Sequence, residues 1–234
     1  MKELSWCSKS ASPNMKSTGA AVLCNTMTPI DRFGIIAAMS NNRIIGLNGK
    51  IPWNISEDRT FFKSMTTGKI LVIGRKTLEE DSNFCHVLHT AKCIVISKTL
   101  RKDQIDTTSI ISGTEILIAR SFLEALHLAR EQTELKPHFA TSNINDVDCW
   151  IAGGERVYIA AVLHPSAWNI HLTVVDADID TCSNDDVARF PPKYHWDSRF
   201  QQTSAEAKTT ADGLITFTHY TFNRKIYNRQ SIYL

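Results

Sequence analysis

Twice in this chain a short run of aliphatic and β-branched residues breaks on glycine and passes straight into helix-forming sequence. Lys69-Ile70-Leu71-Val72-Ile73 runs into Gly74-Arg75-Lys76-Thr77 and then Leu78-Glu79-Glu80. Cys149-Trp150-Ile151-Ala152 runs into Gly153-Gly154 and then Glu155 to Leu163, which stops before Pro165. Runs this short and this apolar suit strands covered on both faces, the condition of parallel strands beneath helices. Similar runs occur at Ile35–Met39, Cys93–Ile96, Ile116–Ala119 and Ile170–Val175. Helical patterns stand between them, over Ser56–Met65 with Ser56 as its cap, and over Phe122–Arg130 capped by Ser121. Near the C-terminus, Trp196–Thr203 and Leu214–Phe222 read as strands joined by the Ala211-Asp212-Gly213 turn. The pattern predicts an α/β fold: a mixed, mainly parallel central sheet with flanking helices and a C-terminal antiparallel hairpin. Residues 131–147 and 177–192 are polar and aperiodic and read as loop insertions.

A length of 234 residues suits one domain with tails, here 32–226, with a leader or tail over 1–31 and a C-terminal tail over 227–234. The net charge of +2 is spread along the chain, which argues against a nucleic-acid or membrane surface. No apolar run approaches the roughly 20 residues of a membrane helix. The six cysteines form no C-x-x-C pair and no zinc spacing, and read as reduced thiols. The eight histidines are scattered, so neither a metal centre nor a hydrolase is indicated. Residues 1–30 are rich in serine and poor in acid. That composition fits a disordered tail on a cytoplasmic monomer, or alternatively a transit peptide for a mitochondrion or plastid.

The stretch Phe33 to Phe62 brings a strand, a loop and a helix start together around one carboxylate, Asp58. Asn48-Gly49 marks a turn within the loop, and Pro52 follows it. An acid in the first helical turn is commonly a solvated charge favoured by the helix dipole. The two glycine junctions give that position more weight. Free N–H groups at helix starts bind phosphate, and glycine lets a ligand approach the backbone. Arg75, Lys76, Arg156 and Lys98 stand close to such junctions, which together suit a ligand with several phosphates.

Taken together, these residues resemble the dihydrofolate reductase family. Ile36-Ala37-Ala38, Ile45-Gly46, Asn48-Gly49, Pro52-Trp53, Asp58, Phe61-Phe62-Lys63, Gly74-Arg75-Lys76-Thr77, Ile94-Val95-Ile96-Ser97, Gly153-Gly154-Glu155-Arg156-Val157-Tyr158 and Leu172-Thr173 follow the family's order. The resemblance covers about residues 33 to 225 and does not extend to a thymidylate synthase partner domain. It implies NADPH-dependent reduction of dihydrofolate, with hydride passing from nicotinamide to pterin C6 and a proton reaching N5. Asp58 is then the acid that polarises the pterin, supported by Thr173, with Trp53 holding a water. Ile36, Ala38, Phe62, Leu88, Ala152 and Tyr158 fall at substrate-contacting positions, as do Arg59 and Lys92 at the folate tail. Ala38, Ile45, Gly46, Gly49, Gly74, Arg75, Lys76, Thr77, Ser97, Lys98, Gly153, Gly154, Glu155, Arg156 and Val157 fall at cofactor positions. Lys98 favours NADPH over NADH, Asn42 to Ile51 form a mobile lid, and Gly153-Gly154 match a cis glycine pair.

Three positions depart from the family. Arg59 replaces an apolar residue, Asp81 falls near another, and Ala91 stands where an arginine grips the folate glutamate. The alternative expectation is a homologue that binds pterin and NADPH with altered or weak activity. The related riboflavin-pathway reductases lack the Pro-Trp loop and the acid seen here.

Overall fold

A computed structural model describes residues 32–80, 89–105, 114–134 and 147–225. Leu88, Asp81 and most of the expected insertion at 131–147 lie outside these described residues. The central sheet is built from β1 (Phe33–Ser40), β3 (Ile70–Gly74), β4 (Lys92–Ile96), β5 (Glu115–Ala119), β6 (Cys149–Ile151), β7 (Ala167–Val175), β9 (Phe200–Thr209) and β10 (Thr216–Arg224). Its order is β5-β4-β3-β6-β1-β7-β10-β9. Every pairing from β5 to β7 is parallel, and the pairings of β10 with β7 and β9 are antiparallel. The mainly parallel sheet with its antiparallel end is as the sequence predicts.

The helices α1 (Ser56–Thr66), α2 (Arg75–Glu80), α3 (Phe122–Glu134) and α4 (Glu155–Leu163) cover the sheet. On one face Phe33, Ile35, Val72, Ile94 and Ile151 meet Leu126 of α3 and Val162 of α4. On the other face Ile36, Leu71, Cys93 and Val95 meet Phe61, Phe62 and Met65 of α1. Strands sealed on both sides explain why their sequence shows no alternation. Asp58, Phe61, Phe62 and Met65 recur at i, i+3, i+4 and i+7, so one face of α1 carries the acid and the apolar contacts together.

Several local expectations need correction. Ile55, without a side-chain cap bond, precedes α1, and Ser56 is its first helical residue. The Ser56 hydroxyl donates instead to Glu57 at 2.9 Å. The expected strand Trp196–Thr203 begins at Phe200 and continues to Thr209, while Trp196 is a buried core residue. Neither residues 42–51, expected as a lid, nor the 177–192 segment is wholly loop. β2 (Ile44–Leu47) and β8 (Val187–Arg189) form a separate two-stranded antiparallel sheet.

Candidate functional site

The carboxyl ends of β1, β3, β4, β5 and β6 open into one cavity of about 1130 Å³, closed on one side by α1 and over the top by β2 and β8. This is where parallel sheets place their ligands. Most of the residues expected at the site line it: Ile36, Ala38, Ile45, Gly46, Gly49, Trp53, Asp58, Arg59, Phe62, Gly74, Arg75, Lys76, Thr77, Ser97, Lys98, Ala152, Gly153, Gly154, Glu155, Arg156, Val157, Tyr158 and Thr173. Lys92 does not. It opens β4, and its ammonium lies 2.6 Å from Glu115 on the neighbouring strand. Its position next to Ala91 suggested a substitute cation. Alternation along β4 and the adjacent acid on β5 turn it elsewhere.

Asp58 enters the cavity from the first turn of α1 and faces the middle of β7. The Thr173 hydroxyl donates to Asp58 Oδ1 at 2.6 Å. Thr173 is 2 % exposed, so its hydroxyl is fixed by protein groups. Behind it, His219 Nδ1 of β10 lies 2.8 Å from the same oxygen. Above the acid, the Tyr158 hydroxyl of α4 donates to the Ile36 carbonyl at 2.9 Å. Burial, and secondarily the charge of Asp58, push the Tyr158 phenol well above its ordinary range, so it stays a donor.

The glycine junctions meet at the other end. The Gly153–Gly154 peptide is cis, and Gly153 has φ of +110°. Gly74 N–H donates to the Gly153 carbonyl at 2.7 Å, which binds the two junctions together. A side chain at Gly74 would meet Gly154 N at 3.5 Å and Val157 Cγ2 at 3.4 Å, so the space beside these backbones exists because side chains are absent. Arg75, Lys76, Lys98, Arg120 and Arg156 line the same region. This concentration of cations beside bare backbone suits a polyphosphate ligand.

The sequence reading missed Arg120, Ser121 and Phe122, which also line the cavity. Arg120 Nη1 donates to the carbonyls of Ser97 at 2.9 Å and Leu100 at 2.7 Å, pinning the turn that carries Lys98. A cation directly after a strand and before a capped helix was the available signal. Asp186, Val187 and Ala188 were missed as well. Asn48 has φ of +50° and Gly49 of +74°, the left-handed pair of a tight hairpin turn. Asn48 N–H donates to the Asp186 carbonyl at 2.8 Å, and Asp186 N–H returns a bond to Asn48 Oδ1 at 2.9 Å. Asp186 also holds the Lys76 ammonium at 2.9 Å, which raises the lysine pKa mainly through that hydrogen bond. The Glu155 carboxylate accepts the Arg189 N–H at 3.1 Å and so supports β8 from α4.

A family profile described as dihydrofolate reductase matches residues 32–224. Over 147 residues the chain is 43% identical to a dihydrofolate reductase of Buchnera aphidicola subsp. Schizaphis graminum, a match covering 62% of this chain and 73% of that one. Over 189 residues it is 30% identical to a dihydrofolate reductase of Neisseria gonorrhoeae, covering 80% of this chain and 95% of that one. It is also 28% identical over 162 residues to a bifunctional dihydrofolate reductase-thymidylate synthase of Arabidopsis thaliana, covering 66% of this chain. That match spans only 26% of the longer bifunctional protein.

Proposed function

The chain belongs to the dihydrofolate reductase family, and from that premise we propose that it reduces dihydrofolate to tetrahydrofolate with NADPH. The observation that carries this reading is the Thr173-supported carboxylate of Asp58 in the same cavity as the fused glycine junctions and their cations. A pterin presents an amino group and a ring N–H side by side. The two oxygens of one carboxylate accept that pair, and the anion draws electron density toward the ring. Ile36 and Ala152, which line the same cavity, would offer backbone carbonyls to the ring, and Phe62 an apolar face. Trp53 lines the same cavity, where it would hold the water that brings a proton to N5.

NADPH, bound along the glycine junctions, would supply the hydride. Arg75, Lys76, Thr77, Lys98 and Arg156 would hold its phosphates, with Gly153 and Gly154 allowing close approach. Ala38 and Ile45 border the end nearest the acid, where backbone groups can orient a carboxamide. With both ligands filling the cavity, the reacting rings would stack at about 3–3.5 Å and displace water from between them.

The test is loss of absorbance at the NADPH band on adding dihydrofolate, first with the native chain and then with Asp58→Asn. The expected result is turnover by the native chain and a loss of at least about 100-fold in the variant, the scale of an acid that assists proton transfer. A native chain that binds NADPH without turnover would overturn the reductase reading. A variant that retained its full rate would refute the role of Asp58.

A further inference from the structure

His219 stands directly behind the site, on β10, paired in register with Thr173. It is 7 % exposed. Its Nδ1 lies 2.8 Å from Thr173 Oγ1, and that oxygen lies 2.6 Å from Asp58 Oδ1. A hydroxyl carries one proton and can donate only once. An ionised carboxylate only accepts, so the Thr173 proton must go to Asp58. The Thr173 oxygen must then accept from His219, which requires a proton on Nδ1. We propose that His219 is a positioning residue for Asp58: its Nδ1–H aims the Thr173 hydroxyl at the carboxylate and holds it there.

The surroundings favour this arrangement. Nε2 is buried and has no hydrogen-bond partner among the described residues. Phe61 lies against the ring at 4.3 Å between centroids, and Phe217 meets it edge-on at 5.1 Å. The imidazole is therefore clamped by two aromatic rings, with its one polar contact aimed at Thr173. The titratable groups facing it are Asp58 on α1, His171 on β7, and Glu206 and Lys208 on β9, the last two paired at 3.3 Å. Desolvation, and secondarily the Lys208 charge, lower its pKa against a smaller opposing effect of Glu206. That shift favours the neutral ring, which has one donor to place.

The tautomer decides what Thr173 does. With the proton on Nδ1, the hydroxyl supports the anion. With the proton on Nε2, the hydroxyl would turn toward His219 and leave oxygen lone pairs facing the carboxylate. No covalent step is involved. This inference rests on Asp58 being the acid that meets the pterin, and it separates from that reading by its readouts.

The first readout needs no turnover. Nitrogen-15 NMR of the native protein at neutral pH should show His219 with a protonated Nδ1 and a bare Nε2. The reverse tautomer, or a cationic ring, would overturn the proposal even if the chain were an active reductase. The second uses His219→Asn, which keeps a donor near Nδ1, and His219→Phe, which keeps the ring and loses the donor. The phenylalanine variant should lose about 3- to 10-fold in kcat/KM for dihydrofolate, the weight of one hydrogen bond. The asparagine variant should stay within about twofold by the same reasoning. In an Asp58→Asn background the two should no longer differ. A purely packing role predicts the opposite order, with phenylalanine tolerated and asparagine not, and that order would sink the proposal. A native chain without reductase activity would instead defeat the proposed function while leaving the tautomer measurement decisive here.

Discussion

The Tyr158 hydroxyl donates to the Ile36 carbonyl across 2.9 Å, joining α4 to β1 at the inner wall of the cavity. Tyr158 is buried, and its ring also fills the space beside Gly153, where a Cβ would come within 3.1 Å of it. One side chain therefore braces both the Ile36 carbonyl and the backbone at Gly153. Replacing Tyr158 with Phe keeps the ring and removes the bond. We expect a fall of roughly fivefold in kcat/KM, about 1 kcal/mol, with the melting temperature little changed. Steady-state kinetics beside a thermal melt would check this. Unchanged kinetics would mean that the bond does not position Ile36.

The resemblance implies a departure from the family on the folate-tail side, with Ala91 where an arginine is expected. Arg59 lines the cavity and is exposed, and Lys92 is held by Glu115. Ala91→Arg should lower the Michaelis constant for dihydrofolate by about 10-fold or more, since a forked arginine–carboxylate contact contributes roughly 1.5–3 kcal/mol. Arg59→Ala should raise the same constant if Arg59 already meets that anion. An Ala91→Arg variant with an unchanged or higher constant would show that the tail anchor is not missing.

Lys98 is exposed at the mouth of the cavity, on the turn that Arg120 pins. Lys98→Met should raise the Michaelis constant for NADPH by about 10-fold, the weight of a charge-assisted contact, and leave that for NADH almost unchanged. Paired kinetics with the two nucleotides decide the matter. Equal losses for both would remove Lys98 from the 2′-phosphate. Because the residue is exposed, stability should not change.

His171, on β7 beside Trp150 and Phe61, has a pKa lowered to about 4 by burial first and by the neighbouring His219 second. The ordinary value is 6.5, so the unfolded chain binds a proton there before the folded one does. Stability is therefore whole above pH 6.5 and falls as pH drops toward 4. The slope is about 1.4 kcal/mol per pH unit, for a total near 3 kcal/mol. Urea unfolding of the native chain and of His171→Phe across this window should show a shallower dependence in the variant. Parallel curves would mean that His171 does not set the slope.

Much of the frame was legible because it depends on local chemistry. Buried parallel strands need continuous apolar runs, and those runs marked the central strands. The Asn48–Gly49 turn announced itself because both residues tolerate positive φ. Ser121 was readable as a cap, and its hydroxyl does accept the Glu124 N–H at 3.1 Å. What could not be read depends on distant partners. β2 and β8 are four and three residues long and are separated in sequence by β3 to β7. β9 is an edge strand, mostly polar apart from Ala205 and Ala207 over Gln201 to Lys208, so neither alternation nor apolar content marked its bounds. At the site, Asp58 stood out from its own stretch, and Thr173 was pointed to by resemblance. His219 was not, because its contact with Thr173 joins strands 46 residues apart and no periodicity points to it. Lys92 was misplaced for the converse reason, since sequence adjacency to Ala91 said nothing about Glu115.

The pairing of Asn48 with Asp185 and Asp186 has a mechanical consequence. Asn48 Nδ2 adds a bond of 2.8 Å to Asp185 Oδ1, and at the other end of the loop Asn42 Nδ2 donates to the Ile179 carbonyl at 2.9 Å. The cover over the cavity is thus two-ply, and neither ply can swing without shearing bonds to the other. Asp186 lines the cavity and also holds Lys76, so a stretch that reads only as an acidic insertion is one of the two layers of the cover and ties it to a cation below.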